Sequence, residues 1–188
     1  MKTMTPPLRP HPEGVSGARL DSFLESLSVG LAGIFPGLDE DTRVLALTLY
    51  RRLASGEPVS PHDLAAALSR PVEAVRTVLE AWPGVHWDQG RVVAFRGLSL
   101  RETQHHFQLP GQEGQSPRRL FTWCAWDTLF LPQVLGEPAH VVSPCPVTGE
   151  EIRLEVTPEA IAASSHPQAF LTLPTPDPDM LRELVRRF

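Results

Sequence analysis

Apolar residues in the first third of the chain recur every three or four positions, the spacing of an amphipathic helix. The first such stripe consists of Leu20, Phe23, Leu24, Leu27 and Leu31. It predicts a helix that ends before the break at residues 35–37, Phe-Pro-Gly. Residues 1–18 hold four prolines and little apolar periodicity, so we expect a flexible tail there.

A second stripe consists of Leu45, Leu49 and Leu53. It predicts a helix that begins at Asp39 or Asp41 and ends at Gly56. Residues 60–63, Ser-Pro-His-Asp, combine a capping side chain, a proline at the first helical position and an early carboxylate. They predict a further helix that runs to about Leu68.

Another helix is expected to start at residues 69–71, Ser-Arg-Pro. Its apolar side consists of Val72, Val75, Val78 and Leu79. Residues 85–95 then split into two strand-like halves around Asp88-Gln89-Gly90, which predicts a β-hairpin. Helices followed by such a hairpin are the order of a winged-helix domain, which we place at residues 19–97.

Charge argues against DNA as the partner of this domain. The helix that would enter the major groove sets Arg76 against Glu73 and Glu80, and the wing adds only Arg91 and Arg96. Every phosphate contact needs a positive partner, whereas the chain carries a net charge of −5. We therefore expect a packing module with winged-helix shape and no DNA binding.

The pattern changes to strands after Gly97, with apolar runs separated by turn residues. We predict strands within 98–103, 106–109, 120–123 and 169–173, two strands joined by a tight turn at 148–149 within 139–157, and helices over 127–134 and 179–187. The class is therefore α+β, with a mixed α/β domain over residues 98–188.

Composition sets the compartment and the state of the two cysteines. No apolar run approaches the length of a membrane-spanning helix, and the N-terminus lacks the apolar core of a secretory signal. A cytoplasmic protein without membrane contact is the expectation. Cys124 and Cys145 are then thiols, since two cysteines are too few for a disulfide framework.

Cys124 and Asp127 form the pair most suggestive of chemistry. If the chain turns helical at Cys124, a spacing of three places both side chains on one face. The helix N-terminus would favour the thiolate, whereas the carboxylate would oppose it. A soft nucleophile or metal ligand beside a proton donor is one interpretation. Core packing of a buried cysteine among apolar neighbours is the other.

Three stretches, LSLRET (98–103), RRLFTWCAWDTLFLPQVLG (118–136) and VVSPCPVTGEEIRLEVTP (141–158), resemble the organomercurial (alkylmercury) lyases in order and spacing. Residues 54–68 resemble the N-terminal region of the same family. The resemblance covers about residues 40–188, and its Trp-Cys-Ala-x-Asp-Thr-Leu core is highly specific. It implies a winged-helix-like domain followed by a mixed α/β catalytic domain.

The resemblance also implies an activity, which is protonolysis of a carbon–mercury bond. Cys124 matches the cysteine that captures the organomercurial, and Asp127 matches the aspartate that handles the proton. Cys145 matches a cysteine that the family treats mainly as structural, although it remains a candidate second thiol. Mercury is then substrate and product, no cofactor is implied, and small thiols and a mercuric reductase are the expected acceptors.

The family's second catalytic cysteine follows a segment that matches residues 179–188, and the sequence ends at Phe188. We expect the C-terminal part with that cysteine to be lacking, through truncation, a selenocysteine codon taken as stop, or a genuine short relative. A sheet edge would then be exposed, and Val185 and Phe188 would pack against a second copy in a homodimer.

Two further functions stay open: a catalytically impaired mercury binder, and a winged-helix regulator that senses thiols or metals. His105 and His106 are adjacent on a predicted strand and should point to opposite faces, one partly buried and one solvated. The four tryptophans are expected in core or interdomain contacts, with Trp126 beside the candidate site able to narrow a pocket.

Overall fold

A computed structural model describes residues 39–111 and 116–171. Its helices are α1 (Glu40–Leu53), α2 (Pro61–Leu68), α3 (Val72–Ala81) and α4 (Asp127–Leu135). Its strands are β1 (Val85–Asp88), β2 (Arg91–Phe95), β3 (Leu98–Ser99), β4 (His105–Leu109), β5 (Arg118–Thr122), β6 (Ala139–Pro144), β7 (Glu151–Val156) and β8 (Ile161–Ser164). The α+β class is confirmed.

Several predictions concern residues outside these ranges. They are the tail over 1–18, the helix over 20–31, the helix over 179–187, and the packing of Val185 and Phe188 against a second copy. Within the described ranges, the model contains no helix with the length and apolar character needed to cross a membrane.

Helices α1 and α2 begin where their capping residues predict, whereas α3 follows Pro71 and has no side-chain cap. The Asp39 side chain accepts a hydrogen bond from the Thr42 amide at 2.8 Å, which satisfies one of the free donors at the start of α1. Ser60 caps α2 in the same way, accepting from the Asp63 amide, with Pro61 at the first helical position. The stripe of α1 predicted from the sequence is buried, with Leu49 fully so.

The hairpin of β1 and β2 is also confirmed. Gln89 and Gly90 both have positive φ, 46° and 75°, as the tight turn between twisted antiparallel strands requires. This hairpin is continuous with the rest of the protein, because β2 pairs with β3 and β3 with β5. The N-terminal and C-terminal parts therefore share one sheet.

All eight strands form that antiparallel sheet, in the order β1-β2-β3-β5-β4-β6-β7-β8. Helix α1 packs against β2, β3 and α4, and α4 contacts β7, so both helices cover one face. The residues buried between helices and sheet form a single core that includes Leu45, Leu49, Leu53, Leu64, Val75, Leu79, Phe95, Phe107, Leu120 and Leu131.

Two strands differ from the prediction for local reasons. The strand predicted over 98–103 stops after Ser99, because the Ser99 hydroxyl accepts from the Arg101 amide and donates to the Arg101 carbonyl. The prediction of a strand from residue 169 is wrong over the described part, since the Ala169 amide closes a turn onto His166. Strand β8 was not predicted; it is mostly exposed and lacks an alternating pattern.

We predict that Leu49→Ala lowers the free energy of unfolding by about 2–5 kcal/mol, because it empties a fully buried position between α1 and the sheet. Urea unfolding followed by circular dichroism measures this change. Val147→Ala removes methyl groups from a side chain that is 89% exposed, and its unfolding curve should overlay that of the unmodified chain. Equal losses for the two variants would contradict the packing described here.

Candidate active site

The candidate pair lies in the connection between β5 and α4. The chain leaves β5 after Thr122 and enters α4 at Asp127, with Cys124 in the intervening turn. Two hydroxyls fix this turn: Thr122 donates to the Cys124 carbonyl at 3.0 Å, and Thr128 donates to the Ala125 carbonyl at 2.7 Å. The turn is therefore held at both ends by side chains of the elements it joins.

The structure brings Cys124 and Asp127 together. The Cys124 amide donates a hydrogen bond to Asp127 Oδ2 at 2.8 Å. The Cys124 thiol also interacts with the same carboxyl group, and this interaction contributes to the pKa of each. The cysteine is only partly buried.

Asp127 is a buried carboxyl, with only 9% of its surface exposed. Burial raises the pKa of Asp127 to about 6, although the hydrogen bonds from the Cys124 thiol and amide lower it in part. A carboxyl that titrates near neutrality can both take and give a proton under physiological conditions. This is the property that acid–base chemistry requires.

The Cys124 thiol, in contrast, is a much weaker acid than an ordinary cysteine thiol. Burial, and then the negative charge of Asp127, raise the pKa of the Cys124 thiol to about 12, against a smaller lowering by the amides of Asp127 and Trp126. The expectation that a helix N-terminus gives this cysteine thiolate character is therefore wrong for the resting site. The helix begins three residues later, at Asp127. The thiol is therefore protonated at neutral pH.

Gly97, which the sequence analysis did not single out, forms one wall of the site. A Cβ atom placed on Gly97 would lie 2.6 Å from both Cγ and Oδ1 of Asp127. The φ angle of Gly97 is +96°, and its carbonyl accepts the Trp123 amide at 3.0 Å. The sequence contains one signal for this contact, because a glycine between two strand segments marks the close approach of another group.

Tyr50 of α1 completes the surroundings and was also missed. Its hydroxyl donates to the Arg96 carbonyl at 2.9 Å, next to Gly97. Burial raises the pKa of Tyr50, and the nearby charge of Asp127 raises it further. The carboxyl therefore lies where α1, α4 and the β2–β3 turn meet.

Comparison with known proteins identifies the family. A family model for alkylmercury lyase matches residues 98–186, and one for the helix-turn-helix domain of alkylmercury lyase matches residues 26–96. The alkylmercury lyase of Streptomyces lividans is 40% identical over 160 residues, which are 84% of this chain and 72% of that protein. The chain belongs to the alkylmercury lyase family. This confirms the resemblance drawn from residues 98–158.

Other alkylmercury lyases have a similar level of sequence identity to this chain. The Pseudomonas putida protein is 43% identical over 139 residues, 73% of this chain and 62% of that protein, so the chain spans less than two thirds of that relative's length. A solved structure described as the mercury-bound form of MerB2 superposes with a TM-score of 0.61 at 22% identity. It covers 84% of this chain and 75% of that one, which supports the shared fold.

Cys145 of this alkylmercury lyase family member follows β6, in the turn to β7. The Thr148 hydroxyl and the amides of Thr148 and Val147 favour its thiolate and lower the pKa of Cys145. Strands β5 and β6, which lead to Cys124 and Cys145, end on the same side of the sheet, but β4 lies between these two strands. Two strand spacings are about 10 Å, whereas two thiolates sharing one metal ion lie within roughly 5 Å.

The histidine pair behaves as predicted. His105 is buried, with Nδ1 3.0 Å from the Ser143 hydroxyl, and burial lowers its pKa. His106 is exposed on the other face, edge-on to Phe121. Within residues 39–111 and 116–171, no three potential metal-binding side chains cluster.

The prediction for the tryptophans is right for three residues and wrong for one, and Trp87 is partly buried against the core. Trp82 stacks on Phe95 with ring centroids 5.5 Å apart, and Trp123 is buried against His86. Trp126, in contrast, is 41% exposed. Trp126 is the residue immediately before α4, so in the sequence it lies between Cys124 and Asp127. Its side chain is at the surface.

Asp127→Asn should stabilise this lyase family member at neutral pH. Because the pKa of Asp127 is about 6 in the folded chain and about 3.9 in an unfolded one, the folded state binds more protons between these values. Stability therefore falls as the pH rises from about 4 to about 6 and then stays level. Asparagine removes the buried charge and keeps an oxygen for the Cys124 amide.

Urea unfolding at pH 4 and pH 7.5 measures this effect. We expect Asp127→Asn to gain on the order of 2 kcal/mol at pH 7.5 and much less at pH 4. The exposed Asp88 provides the control, since Asp88→Asn should change stability little at either pH. If Asp127→Asn changes the free energy of unfolding by the same amount at both pH values, the pKa of Asp127 is not raised.

Proposed function

We propose that this chain cleaves the carbon–mercury bond of organomercurials by protonolysis, with Cys124 as mercury ligand and Asp127 as the group that moves the proton. The observation that carries the proposal is the contact between these residues, with Asp127 Oδ2 2.8 Å from the Cys124 amide nitrogen. Family membership supports the same reaction class.

The first step is capture. Mercury(II) is a soft ion and thiolate is the soft ligand that proteins offer. As the Cys124 sulfur bonds to the mercury of an organomercury cation, its proton passes to the Asp127 carboxylate. A thiol with a pKa of about 12 binds no metal until that proton leaves. The buried carboxylate beside it is the base that takes the proton.

The second step is cleavage. The protonated Asp127 donates its proton to the carbon bonded to mercury, and the electron pair of the carbon–mercury bond becomes the new carbon–hydrogen bond. The hydrocarbon departs, and mercury(II) remains on the Cys124 thiolate beside the Asp127 carboxylate. Since the pKa of Asp127 is about 6, the group is acidic enough to give up the proton and basic enough to have accepted it.

The third step frees the site. Small thiolates take mercury(II) from Cys124, and the released sulfur regains a proton. We propose that small thiols also supply the second sulfur ligand during cleavage, because β4 separates Cys145 from Cys124. Transfer of the product to a mercuric reductase, a cytoplasmic location and a homodimer remain predictions, and no cofactor enters the scheme.

Two alternative functions predict different experimental results. A catalytically impaired mercury binder would capture phenylmercury at Cys124 without releasing benzene. A winged-helix regulator would shift DNA in a low-salt gel assay. Arg96, counted as a wing residue in the sequence, instead lies over the rings of Trp82 and Phe95 at 5.3 and 5.2 Å, which leaves the wing with little positive charge.

We expect Cys124→Ser to abolish both capture of phenylmercury, measured by intact-protein mass spectrometry, and release of benzene in excess small thiol. Asp127→Asn should still capture phenylmercury, because buffer can accept the thiol proton in place of the carboxylate, but it should release benzene 10²- to 10⁴-fold more slowly, the usual contribution of a positioned acid or base.

Matched variants control for general damage. Cys145→Ser should retain capture at position 124, because the strands that lead to the two cysteines are not neighbours in the sheet, and Asp88→Asn should retain both capture and release. Unchanged benzene release in Cys124→Ser, or in Asp127→Asn, would remove the role assigned to that residue.

A further inference from the structure

The Asp127 carboxyl is packed tightly against the peptide backbone at Gly97. The position of a Cβ on Gly97 lies 2.6 Å from Cγ and Oδ1 of Asp127 and 3.0 Å from its Cβ. Ordinary van der Waals contact begins at 3.4 Å, so a methyl group there would require a retreat of about 0.8 Å. Oδ2 is held on the other side by the Cys124 amide. The carboxyl is therefore confined between Gly97 and Cys124.

The backbone at Gly97 is itself held in place from two sides. The Trp123 amide donates to the Gly97 carbonyl at 3.0 Å, which ties the turn to the segment that carries Cys124. The Tyr50 hydroxyl donates to the Arg96 carbonyl at 2.9 Å, which ties the same turn to α1. Arg96 has a φ of +36°, a conformation that a non-glycine residue holds only when its surroundings impose it.

We propose that Gly97 and Tyr50 are positioning residues for the Asp127 carboxyl, and that through Tyr50 the N-terminal helical part takes part in the active site. Gly97 acts by contact with the carboxyl, and Tyr50 acts through the Arg96–Gly97 turn. The catalytic consequence rests on the proposed function. The effect on the neighbouring Cys124 thiol does not.

The two consequences have the same physical basis. A displacement of a reacting group by about 1 Å can slow a reaction 10²-fold, because proton transfer needs the donor at hydrogen-bonding distance. Displacement also changes the distance between the Asp127 carboxylate and the Cys124 sulfur, and with it the pKa of the thiol. Capture of mercury needs the sulfur and is therefore expected to survive.

The test compares Gly97→Ala with Gly56→Ala. Both glycines have nearly the same strained backbone, with φ of +96° and +92°, but no atom lies within 4 Å of a Cβ on Gly56. The two substitutions thus share the backbone cost, and only the first meets Asp127. We expect Gly97→Ala to capture phenylmercury and to release benzene about 10²-fold more slowly. Gly56→Ala should retain both steps.

A second readout is independent of lyase activity. In a Cys145→Ser background, the rate of alkylation by iodoacetamide as a function of pH reports the Cys124 thiolate. We expect Gly97→Ala to shift this profile along the pH axis, with at least a several-fold change in the rate at pH 8, and Gly56→Ala to match the parent. Identical profiles for the two variants would overturn the positioning role of Gly97, whether or not benzene is released.

Tyr50→Phe tests the contribution of α1. It keeps the ring that packs on Phe95 at 4.8 Å and removes only the hydroxyl that holds Arg96. We expect the same two changes as in Gly97→Ala, at several-fold rather than 10²-fold, with capture of phenylmercury retained. Release and alkylation profiles equal to the parent would overturn the role of Tyr50.

Discussion

The hydrogen bond between the Cys124 amide and the Asp127 carboxyl is the interaction on which the site depends. It holds a carboxyl out of water beside a thiol, and that burial moves both pKa values upward, Asp127 to about 6 and Cys124 to about 12. In the proposed reaction, an incoming soft metal replaces the thiol proton, and the neighbouring carboxyl accepts it. This one contact would thereby link metal capture to proton supply.

That contact is maintained by parts of the chain far apart in sequence. The hairpin of β1 and β2 is continuous with the sheet that carries β5, so the N-terminal and C-terminal parts form one framework. Helix α1 packs on α4 and reaches the Arg96–Gly97 turn through Tyr50. A buried charge and a strained turn cost stability, which functional sites commonly accept.

Features encoded locally could be predicted from the sequence. The caps at Asp39 and Ser60 and the spacing of Cys124 and Asp127 each depend on residues within three positions of one another. Gly97 meets Asp127 across 30 residues and Tyr50 meets Arg96 across 46, so no local pattern reveals them. The raised pKa of Cys124 was missed because burial outweighs the helix terminus.

The protonation state of Asp127 tests the central claim most directly. Carbon-13 NMR of the chain labelled at its aspartate carboxyl carbons follows each group through a pH titration, and the resonance absent from Asp127→Asn identifies the one in question. The account predicts an apparent pKa of about 6 for that resonance in the mercury-free protein. A value near 4, like that of an exposed aspartate, would contradict it.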